Sequence, residues 1–422
     1  MRIKKFILND KNVIKESYIW NTIASMLMAF QSVIMLMILT RVMSLEDAGI
    51  FTIAYANANL FLTVGKYGMR NFQVSDVQGQ FVFQEYRTSR VITVAAMLAV
   101  SSGYVLYSSF CNTYSMEKTQ IFIWMCLFKA IDAMEDVYHG CYQQHNRLDL
   151  AARSLAIRLI LTILVFGISL VVSHNLLFSL IFATCVTLGL FYIFTKWTCE
   201  VFLIKKKRIV WNHHLILLIK QCFPLFCSSF FSFYIGNAMK YAIDAKLTDE
   251  MQACYGFISM PVFVIGLLNN FIFSPMLYKM SILWDERKIK IFVEKVLRQI
   301  VILAMITLIC LLGAYILGVP VLSWLYNTDL FPFKKELLIL LLGGGFLGLS
   351  GFLSILLTII RYQNLLMWGY LAVAVLAYFL SDRTVELYGM TGASILYVIL
   401  MLLLCVMFLV MFVFGILRNR DD

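Results

Sequence analysis

The stretch IFIWMCLFKAIDAMEDVYHGCYQQHNR, Ile121 to Arg147, is apolar enough to span a membrane and yet carries Lys129, Asp132, Glu135 and Asp136 in its middle. On an α-helix Lys129, Asp132, Asp136, His139 and Gln143 recur at intervals of three and four, so they form one polar stripe with Glu135 beside it. A charge at the bilayer centre costs about 2.5–3.5 kcal/mol on insertion scales, so such a helix must turn its stripe toward protein or water. Ionisable residues at that depth point either to function or to an internal charge network. What surrounds them decides which.

Of the 422 residues 61% are hydrophobic, 14% are charged and only 5 are proline, and mean hydropathy is +0.83. A soluble globular domain is closer to about half apolar, so that class is excluded and a single polytopic membrane domain is expected. Apolar runs long enough to span fall at about 18–42, 48–68, 90–110, 119–142, 153–173, 176–197, 217–240, 251–275, 296–318, 336–360, 365–381 and 388–415, which predicts an all-α protein of twelve transmembrane helices. The first run lacks a small-residue cleavage site and reads as a helix rather than a removed signal.

The formal charge of +11 follows from topology. With the N-terminus cytoplasmic, 24 of the 35 Lys and Arg fall in inside segments and 7 in outside loops, so both termini are expected in the cytoplasm. Membrane topology and anionic headgroups account for the basic balance, and no nucleic-acid partner is expected. Ten cysteines are scattered without a C-x-x-C pair, and no metal site or cofactor is expected. Gly65 and Lys66 are followed by Tyr67, which cannot supply the magnesium-binding hydroxyl of a phosphate-binding loop.

The order helix, short outer loop, helix, long cytoplasmic segment, helix occurs at about 18–110 and again at 217–318, where 276–295 is the long segment. Two six-helix halves, 1–204 and 205–422, are therefore expected, related by a pseudo-twofold axis along the membrane normal, with a binding cleft between them. Polar stripes mark the opening helices of each half: Asn21, Ser25 and Ser32; Thr52, Tyr55, Asn59, Thr63 and Lys66; Ser229, Ser232, Gly236 and Lys240; Ser259, Gly266, Asn270 and Ser274. They line a hydrated cavity or simply join helices. Pro224 and Pro261 interrupt two spans and are candidate hinges. Gly344, Gly348 and Gly351 make a small-residue packing face.

ILTRVMSLEDAGIFTIAYA (Ile38 to Ala56) and GKYGMRNFQVSD (Gly65 to Asp76) resemble the first two helices of bacterial polysaccharide repeat-unit flippases. RYQNLLMWGYLAV (Arg361 to Val373) and LYGMTGASILYVI (Leu387 to Ile399) resemble later junctions of that family, which handles O-antigen, capsule and exopolysaccharide units within the multidrug, oligosaccharidyl-lipid and polysaccharide exporter superfamily. The resemblance implies a non-enzymatic inner-membrane protein that moves an undecaprenyl-diphosphate-linked oligosaccharide to the outer leaflet by alternating access around a cationic cavity. It implies membrane lipids and other polysaccharide-assembly membrane proteins as partners.

A diphosphate head carries about two negative charges and needs cations or helix N-termini. The candidates are Arg41, Lys66, Arg70, Lys129, Arg158, Lys240 and Arg361, of which only Lys129 and Arg158 lie well inside, with Asn59 and Asn270 as polar cavity residues. Helices 4 and 5 are expected to pack antiparallel with Asp136 and Arg158 at similar depth, close enough to pair, while Lys129 pairs with Asp132 along its own helix. Three readings of Asp132, Glu135 and Asp136 stay open: a neutralising network, support for a substrate head, or proton or sodium coupling. The last would suit a cation-coupled drug or metabolite exporter of the same fold. A membrane polymerase or glycosyltransferase is disfavoured by the short outer segments.

Overall fold

The computed structural model describes residues 2–8, 12–76, 79–110, 114–201 and 213–421, whose regular structure is entirely helical. A short helix α1 (Arg2–Ile7) precedes α2 (Val13–Val42), α3 (Leu45–Lys66), the short α4 (Met69–Ser75), α5 (Phe83–Phe110), α6 (Met116–Gln144), α7 (Leu148–Ser173) and α8 (Leu176–Val201). Then follow α9 (His213–Lys246), α10 (Asp249–Asp285), α11 (Ile289–Gly313), α12 (Val319–Tyr326), α13 (Lys334–Ile359) and α14 (Gln363–Asp421). All twelve expected spans are present, and α14 supplies two of them, because Gly389 breaks its helical backbone with φ 58° and ψ −142°. That conformation is open essentially to glycine alone.

The protein is a multi-pass membrane protein. Nine helical stretches of the described chain are long and apolar enough to cross a bilayer, one of them the 54-residue Leu365–Arg418 that holds the last two spans. The helix with the polar stripe is absent from those nine. Four ionisable residues within eight positions lower its hydropathy although it runs for 29 residues.

The chain forms two compact units, Met1–Phe230 and Phe231–Asp422. The sequence boundary at 204 and 205 lies outside the described residues. In the first unit α6 is the central helix, packed against α3, α4, α5, α7 and α8, while α2 pairs with α7. Its start is fixed by Ser115, whose hydroxyl accepts from the Lys118 amide at 3.2 Å. Only three residues link α6 to α7, with Asn146 in the left-handed region at φ 57°. Arg153, 1% exposed, ties α1 and α2 to α7 by donating to the Phe6 and Ile7 carbonyls and pairing with Glu16 at 3.1 Å.

In the second unit α13 takes the central place, against α10, α11 and α14. Three consecutive glycines let three neighbours approach. A Cβ at Gly343 would lie 2.6 Å from the Tyr397 ring, at Gly344 3.1 Å from Val262, and at Gly345 2.5 Å from Thr307. The expected small-residue face thus shifts to Gly343–Gly345, and the space beside Gly351 is open. Gly345→Ala is expected to cost about 1–3 kcal/mol by overpacking, and Gly351→Ala less than about 0.5 kcal/mol. Thermal midpoints of the two variants in detergent read the difference, and equal midpoints would contradict close packing at α13. The expected cytoplasmic segment 276–295 is mostly helical, because α10 continues to Asp285 and α11 begins at Ile289.

Candidate functional site

Two charge clusters lie along α6, one deep and one shallow. In the deep cluster Arg158 of α7 reaches Asp132 at 2.6 Å and Glu135 at 2.8 Å through the same Nη2. Lys129 pairs with Asp132 at 3.3 Å, as its spacing predicts, and also donates to the Tyr55 hydroxyl at 2.9 Å and to Gln31 at 3.3 Å. Its ammonium stands 4.3 Å from the Tyr55 ring centroid. His139 lies 3.6 Å from Glu135. All these side chains except Tyr55 are buried, and Arg158 has no exposed surface.

The expected ion pair between Asp136 and Arg158 does not form. Asp136 is turned toward α4 and α5, where Arg90 meets it at 2.9 Å and Arg70 at 3.5 Å. Arg90 is wholly buried and donates its other Nη to the Gly65 carbonyl at 2.6 Å, which also accepts from Thr93 at 2.8 Å. In sequence Arg90 opens the third span, where it counts among the cytoplasmic-side cations.

The shallow cluster opens on a pocket of about 480 Å³ lined by Thr63 and Lys66 of α3, Gly68, Met69, Arg70 and Asn71 of the following turn and α4, Asp136 and Gln143 of α6, and also Asn21, Leu148 and Ser229. By chain direction, the N-terminal end of α2, the C-terminal ends of α3 and α6 and the N-terminal end of α7 share one membrane face, and the pocket lies there. The turn that builds it is dictated locally. Tyr67 and Gly68 both take left-handed backbone, at φ 51° and 63°, which reverses the chain from α3 into α4. A Cβ on Gly68 would approach Leu225 to 2.8 Å, and Tyr67 stacks on Phe226 with centroids 4.7 Å apart.

Helix α4 is held on α6 by Gln73 and Gln144, whose side chains bond at 3.2 Å while Gln144 also donates to the Gln73 carbonyl at 2.6 Å. It ends at Asp76, whose carboxylate accepts from the amides of Gln80 and Phe81 and from the Tyr86 hydroxyl. Burial pushes the Asp76 carboxyl up, but these donors outweigh it and hold the group below the usual carboxylate range. Arg70 is thereby placed against Gln143 at 3.1 Å, while Lys66 forms no ion pair among the described residues.

The remaining candidates lie elsewhere. Asn59 is half-buried on α3, seven residues before Lys66. Arg41 is exposed at the opposite end of α2 from Asn21. Lys240 is half-buried on α9 within the second unit, and the side chain of Asn270 lies outside the described residues. Pro224 and Pro261 sit within the continuous helices α9 and α10. The second unit has its own largely apolar cavity of about 380 Å³ beside the Gly389 break, lined by Thr384, Tyr388, Thr391, Gly392, Ile395, Leu396 and Ile399.

With this geometry in hand, likeness to known proteins is informative. The chain superposes on the lipid II flippase MurJ in an inward closed conformation with a TM-score of 0.69, covering 95% of this chain and 89% of that one at 14% identity. An inward-facing multidrug-resistance MATE transporter of the MOP superfamily gives 0.62, covering 93% and 95% at 13% identity. The chain has the MOP-transporter fold. A MOP-superfamily transporter from Pyrococcus furiosus, described as having a binding pocket of reversed polarity, gives 0.61 at 14% identity over 99% and 98%. In sequence, this MOP-fold chain is 24% identical over 314 residues to the capsular polysaccharide biosynthesis protein CapF of Staphylococcus aureus, spanning 73% of this chain and 76% of that protein. No family model matches it.

Proposed function

We propose that this protein is a flippase that carries an undecaprenyl-diphosphate-linked oligosaccharide from the cytoplasmic to the outer leaflet of a bacterial inner membrane, for synthesis of a cell-surface polysaccharide. The observation that carries the reading is the pocket beside Lys66 and Arg70. Lys66 has no ion pair among the described residues and Arg70 makes only the longer of the two contacts to Asp136, while every carboxylate on the α6 stripe already has a basic partner. A cation-coupled drug exporter needs the reverse, a carboxylate open to a positive ligand. The likeness to a lipid II flippase and to a capsule biosynthesis protein supports the same choice.

In this reading the pocket face is cytoplasmic, both termini lie on that side, and the chain passes from one six-helix half to the other at residues 204 and 205. Lys129 and Arg158, held by Asp132 and Glu135, stiffen the wall behind the pocket. Lys240, Asn59 and Asn270 meet the substrate as it crosses, Arg41 meets it near the far side, and α9 and α10 flex at Pro224 and Pro261. Moving two negative charges outward across an inside-negative potential of about 100 mV is favourable by roughly 4–5 kcal/mol, which drives export without a nucleotide.

Depleting the protein in its native cell is expected to accumulate the lipid-linked oligosaccharide in the inner leaflet, where it stays shielded from a membrane-impermeant lectin or glycosidase. Unchanged lipid-linked pools combined with greater sensitivity to cationic drugs would instead establish the exporter reading.

A further inference from the structure

We infer that Arg70 is an exchangeable cation, which leaves Asp136 to meet the diphosphate entering the pocket while Arg90 keeps Asp136 neutralised. The inference rests on the diphosphate reading of the pocket and adds to it how the pocket's charge is handed over.

The two guanidinium partners of Asp136 are unequal. Arg90 approaches Oδ2 at 2.9 Å, is fully buried, and is anchored at its far side by the Gly65 carbonyl. Arg70 stands 3.5 Å from Oδ1, at the outer limit of a hydrogen bond, and its side chain is 30% exposed. Its better contact, 3.1 Å, is to the neutral amide oxygen of Gln143. An Arg–phosphate fork offers two short charge-assisted bonds, stronger than what Arg70 gives up. Asp136 does not become a bare buried carboxylate when Arg70 departs, because Arg90 remains.

The charge distribution fits the same ligand. In the deep cluster Lys129 and Arg158 are offset by Asp132 and Glu135. In the shallow cluster Arg90, Arg70 and Lys66 face Asp136 alone, which leaves an excess of two positive charges. A diphosphate diester carries about two negative charges at neutral pH. The cavity is the size of a small-molecule site and takes the head group rather than a whole lipid-linked oligosaccharide. Asn21, Asn71 and Ser229 add polar side chains to its wall.

The test is pyrophosphate binding by the full-length protein in detergent at low salt, followed by thermal shift. Arg70→Ala is expected to weaken binding by at least about 10-fold, the worth of one charged hydrogen bond. Arg90→Ala is also expected to weaken it, since Asp136 then retains Arg70, and adding Asp136→Asn to Arg90→Ala is expected to restore it to within about 3-fold, a rescue that a purely structural role for Arg90 would not give. Should Arg90→Ala not fold, Asp136→Asn alone tests the same exchange: it releases Arg70 and is expected to tighten binding. Wild-type affinity in Arg70→Ala, no rescue in the double variant, or weaker binding by Asp136→Asn would each overturn the exchange and leave the diphosphate reading standing. A wild-type protein that binds no pyrophosphate would overturn both. Farnesyl diphosphate in the micelle is expected to bind more tightly than free pyrophosphate, and the reverse order would overturn the assignment to a lipid head.

Discussion

Arg158→Ala is expected to deplete folded protein from the membrane, whereas Lys66→Ala leaves its amount unchanged. Arg158 compensates two carboxylates, Asp132 at 2.6 Å and Glu135 at 2.8 Å, that are 6% and 4% exposed. Truncating one partner of a buried ion pair costs about 3–5 kcal/mol, because the remaining charge is stranded in a medium that cannot solvate it. Domains are stable by only about 5–15 kcal/mol, so a loss of that size removes much of the margin. The cause is separable from lost packing. Combining Arg158→Ala with Glu135→Gln removes the stranded charge, leaves Asp132 paired with Lys129, and is expected to recover most of the thermal midpoint and of the monodisperse yield in detergent. Arg158→Ala with wild-type stability would contradict the network, and a double variant that does not recover would show that Arg158 acts through its bulk.

The error in pairing Asp136 with Arg158 shows where a sequence stops being readable. Depth along a helix follows from counting residues, but only if the ends are known. Helix α7 begins at Leu148 rather than near 153, which puts Arg158 ten residues, or about 15 Å, inside. With α6 ending at Gln144, Asp132 and Glu135 lie about 18 and 14 Å deep, on either side of Arg158, and Asp136 about 12 Å. Azimuth matters as much. At about 100° per residue, Asp132 and Glu135 lie about 60° apart with Arg158 between them, and Asp136 points about 70° to one side of their bisector, toward α4 and α5. The stripe, its depth and the i, i+3 pair of Lys129 and Asp132 were therefore legible, and the neighbour each acid meets was not.

The buried places of Arg90 and Arg153 are not legible in the sequence for a related reason. Both sit within two turns of a helix start, where hydropathy cannot tell a headgroup cation from one folded into the protein. The stretches that resemble polysaccharide flippases, by contrast, mark chain geometry. Ser44 and Asp47 form a capping box that starts α3, Tyr67 and Gly68 reverse the chain into α4, Arg361 takes φ 64° between α13 and α14, and Gly389 divides α14. Ser44, Asp47, Gly68 and Gly389 suit these breaks by their chemistry, while apolar side chains fill the helices between them. The central helix of each unit shows the two ways of filling such a place: α6 uses paired charges, and α13 uses glycines that admit its neighbours.

Lys66→Ala is expected to cut export by about 10- to 100-fold with no loss of folded protein, because one charged hydrogen bond to a phosphate contributes about 1.5–3 kcal/mol. Lys66 pairs with no carboxylate among the described residues, so its removal strands nothing. Lys66→Arg keeps the charge and is expected to retain most of the activity. Lys334→Ala and Lys335→Ala are the matched controls: both lie at the start of α13 in the second unit, and Lys334 stands 4.1 Å over the Tyr315 ring. Export is read as the appearance of lectin-accessible oligosaccharide on the outer leaflet at equal expression. Lys129→Ala should also lower it, but through lost protein, since that ammonium is committed to Asp132, Tyr55 and Gln31. The signature that separates substrate contact from scaffold is thus reduced export at constant yield for Lys66, against reduced export in proportion to yield for Lys129. If Lys66→Ala exported as well as Lys334→Ala at matched expression, the pocket would have to be given up as the head-group site.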